Sequence, residues 1–134
     1  MSGLVLKLGP RERIMVNGVV MENGERRARI NILTPDAHIL RLRDAIHPDE
    51  ANTPVRRVCY LAQLALAGEA DPEEARRRIL RGVEQLSQVF TDLESRAHLT
   101  AATEAADARR FYQAMKALRQ LLPRETRLLS VRPD

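Results

Sequence analysis

The stretch HPDEANTPVRR (residues 47–57) separates two periodicities. Before it, apolar and polar residues alternate; after it, apolar residues return every third or fourth position. Within it, Thr53 offers an acceptor to an orphan first-turn amide, and Pro54 has no amide to leave unpaired. Together they predict a helix over 54–67 that stops at Gly68.

Downstream, Asp71-Pro72-Glu73-Glu74 repeats the same start signal as a capping box. Ala75, Ile79, Val83, Leu86, Phe90 and Leu93 then recur at helical spacing, while Arg77, Arg81 and Glu84 fall on the opposite face. Two more helices are predicted over 95–104 and 108–122, the second with a stripe of Phe111, Met115, Leu118 and Leu122 and limited by Pro123. The tail RETRLLSVRPD reads as a frayed end or one short last turn.

Upstream, LVLKL (4–8) and RIMV (13–16) alternate as strands. Asn17-Gly18 and Asn23-Gly24 tolerate positive φ, which predicts two-residue hairpin turns around a short strand at 19–22. A fourth strand over 26–33 sends Ala28, Ile30 and Ile32 to one side and Arg27, Arg29 and Asn31 to the other. After a Pro35 turn, a fifth over 38–43 points His38, Leu40 and Leu42 inward and Ile39, Arg41 and Arg43 outward. The expected class is α+β: a five-stranded antiparallel module at 1–47, then a helical region of about four helices at 48–134.

The charge is uneven across that boundary. The chain of 134 residues carries 22 Lys and Arg, 20 of them arginine, against 18 Asp and Glu, for a net charge of +4. Residues 1–47 hold eight cations and five acids, whereas the rest hold fourteen and thirteen. The surplus suits an anionic partner of the strand module. One cysteine, Cys59, excludes an internal disulfide and, set among apolar helical neighbours, reads as a small buried hydrophobe. With nothing arguing for an oxidising compartment a cytoplasmic protein is expected, and the longest apolar run, VCYLAQLALA (58–67), half a membrane span and interrupted by Gln63, predicts a soluble one.

An enzymatic reading finds no constellation to rest on. His38, His47 and His98 lie in different elements without ligand spacing, so neither a metal nor another cofactor is expected. Asp49-Glu50 and Glu73-Glu74 sit at helix starts, where the macrodipole favours carboxylates. EEARRRILRG (73–82) is the densest arginine cluster, but its acids and i,i+4 pairs such as Glu73 with Arg77 describe a solvated helix face. Lys7, Arg13, Arg27, Arg29, Arg41 and Arg43 differ, because strand alternation gathers them without interleaved acids. Such a face is either the ordinary wet side of an antiparallel sheet or a binding surface, since arginine forks phosphate and can stack on a base where aromatics are missing.

MVNGVVMENGERRARINIL followed by HPDEANTPVRRVCYL resembles the FlbT family, flagellar biosynthesis regulators of alphaproteobacteria, most specifically over residues 48–57. The resemblance implies post-transcriptional control: binding the 5′ untranslated leader of flagellin mRNA and repressing its translation or promoting its decay. It implies no catalytic residues and a partnership with the flagellin-related regulator FlaF. Residues 4–46 also resemble the carbon storage regulator family of dimeric mRNA-binding proteins, through Leu4-Val5-Leu6, Glu12, Ile14-Met15-Val16, Arg29-Ile30-Asn31-Ile32, Pro35 and Arg43-Asp44-Ala45-Ile46. That likeness implies RNA contact by Arg43 and a homodimer, and it differs in carrying Leu8 and Gly9 where that family has arginines.

The expected RNA-binding set is therefore Arg43 and Arg41, with Arg29, Arg27 and Lys7 as phosphate neighbours. The alternative is a protein-binding adaptor or chaperone-like factor of flagellin export, acting on flagellin through the helices with only indirect effects on RNA.

Overall fold

The computed structural model describes residues 4–17, 19–34 and 37–130. It is α+β, with five strands preceding the helices: β1 (Leu4–Leu8), β2 (Arg13–Val16), β3 (Val19–Glu22), β4 (Ala28–Ile32) and β5 (Ile39–Arg41). They form two antiparallel sheets. In one, β1 pairs with β4, from Leu4 opposite Ile32 to Leu8 opposite Ala28. In the other, β2 lies between β3 and β5. Leu6, Leu8, Ile14 and Ile39 form a small buried cluster, with Leu4, Ile30 and Ile32 packed against it. The alternation read for β1 and β4 holds, since Leu6 and Leu8 are buried while Lys7, Arg29 and Asn31 are exposed.

The two Asn-Gly pairs have different fates. Val16 opposite Val19 leaves a two-residue connection, and Asn17 has the positive φ of 50° that such a turn requires; Gly18 lies outside the described residues. Asn23-Gly24 is not a hairpin turn, because β3 and β4 belong to different sheets. There the Asn23 side-chain amide donates to the Gly9 carbonyl (2.7 Å) and the Arg26 carbonyl (2.9 Å). The Asn23 amide donates to the Glu12 carbonyl (2.8 Å), so the crossing segment is stitched to the β1–β2 loop. The Pro35 turn also lies outside the described residues.

β5 departs most from expectation. Ile39 packs in the strand cluster and Leu40 in the larger helical core, so both faces of the strand are covered and the inward–outward alternation does not apply. Arg41, expected to point outward, is buried at 8 % exposure. Pairing ends there, and Leu42–Asp44 forms a 3-10 turn that carries Arg43.

The helices are α1 (Pro54–Leu66), α2 (Pro72–Ser87), α3 (Leu93–Asp107), α4 (Phe111–Arg119) and α5 (Leu122–Ser130). Thr53 and Asp71 cap α1 and α2 as read, accepting from the amides of Arg56 (3.3 Å) and Glu74 (3.0 Å). Gly68, at φ 76°, ends α1 in a Schellman motif: Glu69 N–H reaches the Leu64 carbonyl and Gly68 N–H the Ala65 carbonyl. α2 stops at Ser87, so Leu93 leaves its stripe and instead opens α3 at 86 % exposure. Pro123 stands in the first turn of α5, where its missing amide costs nothing, and the tail up to Ser130 is a full helix. α1 packs on α2 and α4, and α3 on the same two, around Ile79, Phe111, Met115 and Leu118.

Contacts among the described residues join the strand module to the helices. Leu40 enters the helical core, and His38 stacks on Phe111 with ring centroids 6.3 Å apart. Gln63, which interrupts the apolar run of α1, accepts from Ile46 N–H (2.6 Å) and donates to its carbonyl (2.9 Å). Arg119 donates to the Asp44 carbonyl (3.1 Å).

Candidate nucleic-acid interface

Lys7 and Arg29 are register partners on β1 and β4, so both side chains rise from the same outer face. Arg27, two residues before Arg29, precedes β4, and Arg43 comes from the 3-10 turn after β5. All four line one open groove of about 510 Å³, together with Leu8, Gly9, Pro10 and Ala28. No acid lines it, and Lys7, Arg27 and Arg29 take part in none of the ion pairs of the described residues. Directly opposed like charges destabilise a sheet by about 0.2 to 1 kcal/mol, so the Lys7–Arg29 pairing is a cost that nothing within the groove offsets.

Arg41 is the exception. Its Nη1 lies 2.7 Å from Glu12 Oε2 and its Nη2 donates to the Lys7 carbonyl at 3.0 Å, beneath the basic face. Burial alone would push the Glu12 carboxyl up, but the Gly9 amide at 2.9 Å and the Arg41 and Arg43 guanidiniums outweigh it and hold it below its ordinary value. Burial disfavours the Arg41 cation, and Glu12 more than restores it, so its value is raised. Arg43 stays exposed, with its Nε 3.6 Å from Glu12 Oε2. Glu12 thus holds Arg41 closely and restrains Arg43 loosely.

Arg43 also lines a smaller pocket of about 260 Å³ with Lys116 and Arg119 of α4 and with Asp44, which lies 3.4 Å from Arg119 and so partly offsets its charge. The sequence carries no local signal for this extension, because α4 meets the strand module only through long-range packing. Arg13, the remaining strand cation, is neutralised by Glu22 at 3.0 Å.

In the helical cluster, Glu73 pairs with Arg76 (3.1 Å) and Arg109 (2.6 Å) rather than with Arg77, which takes Glu74 (2.8 Å). Cys59 is fully buried, and burial pushes its thiol up to about 12. Among the described residues no group of three His, Cys, Asp or Glu could hold a metal ion, and no helix is long and apolar enough to cross a membrane.

The family profile described as Flagellar protein FlbT matches residues 4–129. The chain belongs to the FlbT family. Among the FlbT proteins it resembles, one from Mesorhizobium japonicum is 30 % identical over 131 residues, which is 98 % of this chain and 88 % of the relative. One from a Caulobacter species is 29 % identical over 126 residues, 94 % of this chain and 95 % of the relative. One from Brucella abortus is 29 % identical over 132 residues, 98 % and 86 % respectively. Each is named a probable flagellum biosynthesis repressor protein FlbT. No solved structure matches the chain.

Proposed function

We propose that this FlbT-family protein regulates flagellar synthesis after transcription, binding the 5′ untranslated leader of flagellin mRNA and lowering its translation or stability. The observation that carries this reading is the convergence of Lys7, Arg27, Arg29 and Arg43 on one groove whose lining contains no acid, with Arg43 alone restrained by Glu12 from below. A phosphodiester chain laid in that groove supplies the anions that would relieve the Lys7–Arg29 repulsion. The relatives' name as repressors supports the sign of the effect. In this reading Arg41 braces the floor, and the RNA contacts fall to the other four.

The reading includes a homodimer. Among the described residues the strand cluster has four buried apolar side chains, and β3 leaves Val19 and Val20 more than half exposed. Small cores of this kind gain from association. Light scattering at tens of micromolar should report twice the chain mass; monomer alone would remove this part of the reading.

The deciding experiment is titration of the purified protein with a labelled flagellin leader and with a shuffled RNA of the same length, at physiological salt. Preference for the leader supports the reading. Equal affinity for both would favour the adaptor, in which RNA effects are indirect.

A further inference from the structure

A second cationic feature lies away from the strand face and shares no lining residue with it. Between α1 and α2 runs a groove of about 510 Å³ with an aliphatic floor that includes Val58, Leu61, Leu86 and Val89. Gly82 lets the two helices close beneath it, since a Cβ there would stand 2.6 Å from Val58 Cγ2. Arg57 of α1 and Arg78 and Arg81 of α2 rim the groove, and all three are exposed. The arginine run of α2 is therefore divided. Arg76 and Arg77 are neutralised by Glu73, Asp107 and Glu74, whereas Arg78 and Arg81 have no acid partner among the ion pairs of the described residues.

We propose that this groove docks an acidic amphipathic helix of a protein partner. An aliphatic trough between two helices accepts the apolar ridge of a third, with charged residues meeting at the rim. The unpaired guanidiniums call for carboxylates on the incoming flanks. RNA fits less well, because the cations are confined to the rim and the floor presents Val58, Leu61, Leu86 and Val89, which neither pair with phosphate nor stack a base. A second copy of this chain also fits less well. Among the described residues the helix with the most exposed leucines, α5 with Leu128 and Leu129, carries Arg127, which would bring a further cation to an arginine rim.

The test uses the full-length protein and fluorescent helical peptides of about eighteen residues, or five turns, with one leucine ridge. One peptide has glutamate flanks, its twin has lysine flanks, and a third has the ridge leucines replaced by serine. The glutamate peptide should bind and the serine peptide should not. Arg78→Glu with Arg81→Glu should weaken the glutamate peptide at least roughly tenfold while gaining affinity for the lysine twin, a swap that an unfolded variant cannot produce. Equal binding of both twins by the unaltered protein, or an indifferent double variant, would overturn the proposal. So would loss of leader RNA affinity in that variant with peptide binding intact, which assigns the groove to nucleic acid. Dissociation of a dimer by the variant without any peptide binding would overturn it in favour of a second copy.

Discussion

Glu12 and Arg41 form a buried ion pair, 2.7 Å from Oε2 to Nη1, that ties the β1–β2 loop to β5. Their side chains are 8 % and 10 % exposed, so neither charge can fall back on water if the other is removed. Glu12→Gln should destabilise the protein by about 3 kcal/mol, the usual consequence of leaving a buried charge uncompensated. Because the folded Glu12 value is lowered from 4.5, the pair's contribution is complete above that pH and is lost as pH falls through the lower folded value. Urea titrations should find the gap between wild type and Glu12→Gln widest near neutrality and closing below about pH 4.5. A constant gap would mean that Glu12 acts through something other than its charge.

Arg43 and Arg41 should separate cleanly in RNA binding. Arg43 is exposed at the meeting of the strand groove and the α4 pocket, whereas Arg41 lies beneath the face. With no aromatic in the groove, phosphate contact is expected. Arg43→Ala should then weaken all RNAs evenly and reduce the slope of log K against log salt by about 0.7 for one single-strand contact. Selective loss on the leader, by about 1 to 3 kcal/mol, would instead mark contact with a base edge. Arg77→Ala, already neutralised by Glu74, is the control. An Arg43→Ala protein with wild-type affinity and slope would remove the strand face as the RNA site.

How far such roles can be read from sequence depends on where neutralising contacts come from. The strand parity of Lys7, Arg27 and Arg29 is legible because alternation is a local property of the chain, and the caps at Thr53 and Asp71 are legible for the same reason. Arg41 is not legible. Its partner Glu12 is 29 positions away, and β5 is covered on its second face by helices that begin only at residue 54. Asn23-Gly24 fails likewise: the dipeptide marks a turn, but sheet membership is decided by β4 pairing back to β1. The division of the α2 arginines depends on Asp107 and Arg109, which the fold brings back from the end of α3.

Lys7 offers a case in which stability and function should move in opposite directions. It stands directly across from Arg29 and has no acid partner among the ion pairs of the described residues. Lys7→Gln removes a like-charge opposition and should raise stability by about 0.2 to 1 kcal/mol. The same change takes a cation from the groove and should weaken leader binding, with a smaller salt slope. Denaturation and RNA titration on the same preparation check both. Lower stability together with unchanged RNA affinity would show that the lysine packs its stem and does not serve the groove.

Glu125 closes the helical half by a different device. From α5 its carboxylate accepts from Thr53 Oγ1 (2.5 Å) and from the buried Val55 amide (2.8 Å), at the N-terminus of α1. Residue 125 is 5 % exposed, so the charge is removed from water and is held there by two donors and the favourable end of a helix dipole. Glu125→Ala should leave the Val55 N–H unsatisfied, a loss of about 1 to 3 kcal/mol, offset in part because the buried charge disappears with it. Glu125→Gln keeps a carbonyl for Val55 and turns its amide toward Thr53, whose hydroxyl can rotate to accept. The order of stability should therefore be wild type, then Gln, then Ala. α5 should also become the first segment cut in limited proteolysis of the alanine variant, since this carboxylate is its polar tie to α1. If alanine proved as stable as glutamine, burial of the charge would have cancelled the cap, and the attachment of α5 would rest on Leu121 and Leu122 packing into the core and on the Arg124–Asp92 ion pair (3.0 Å).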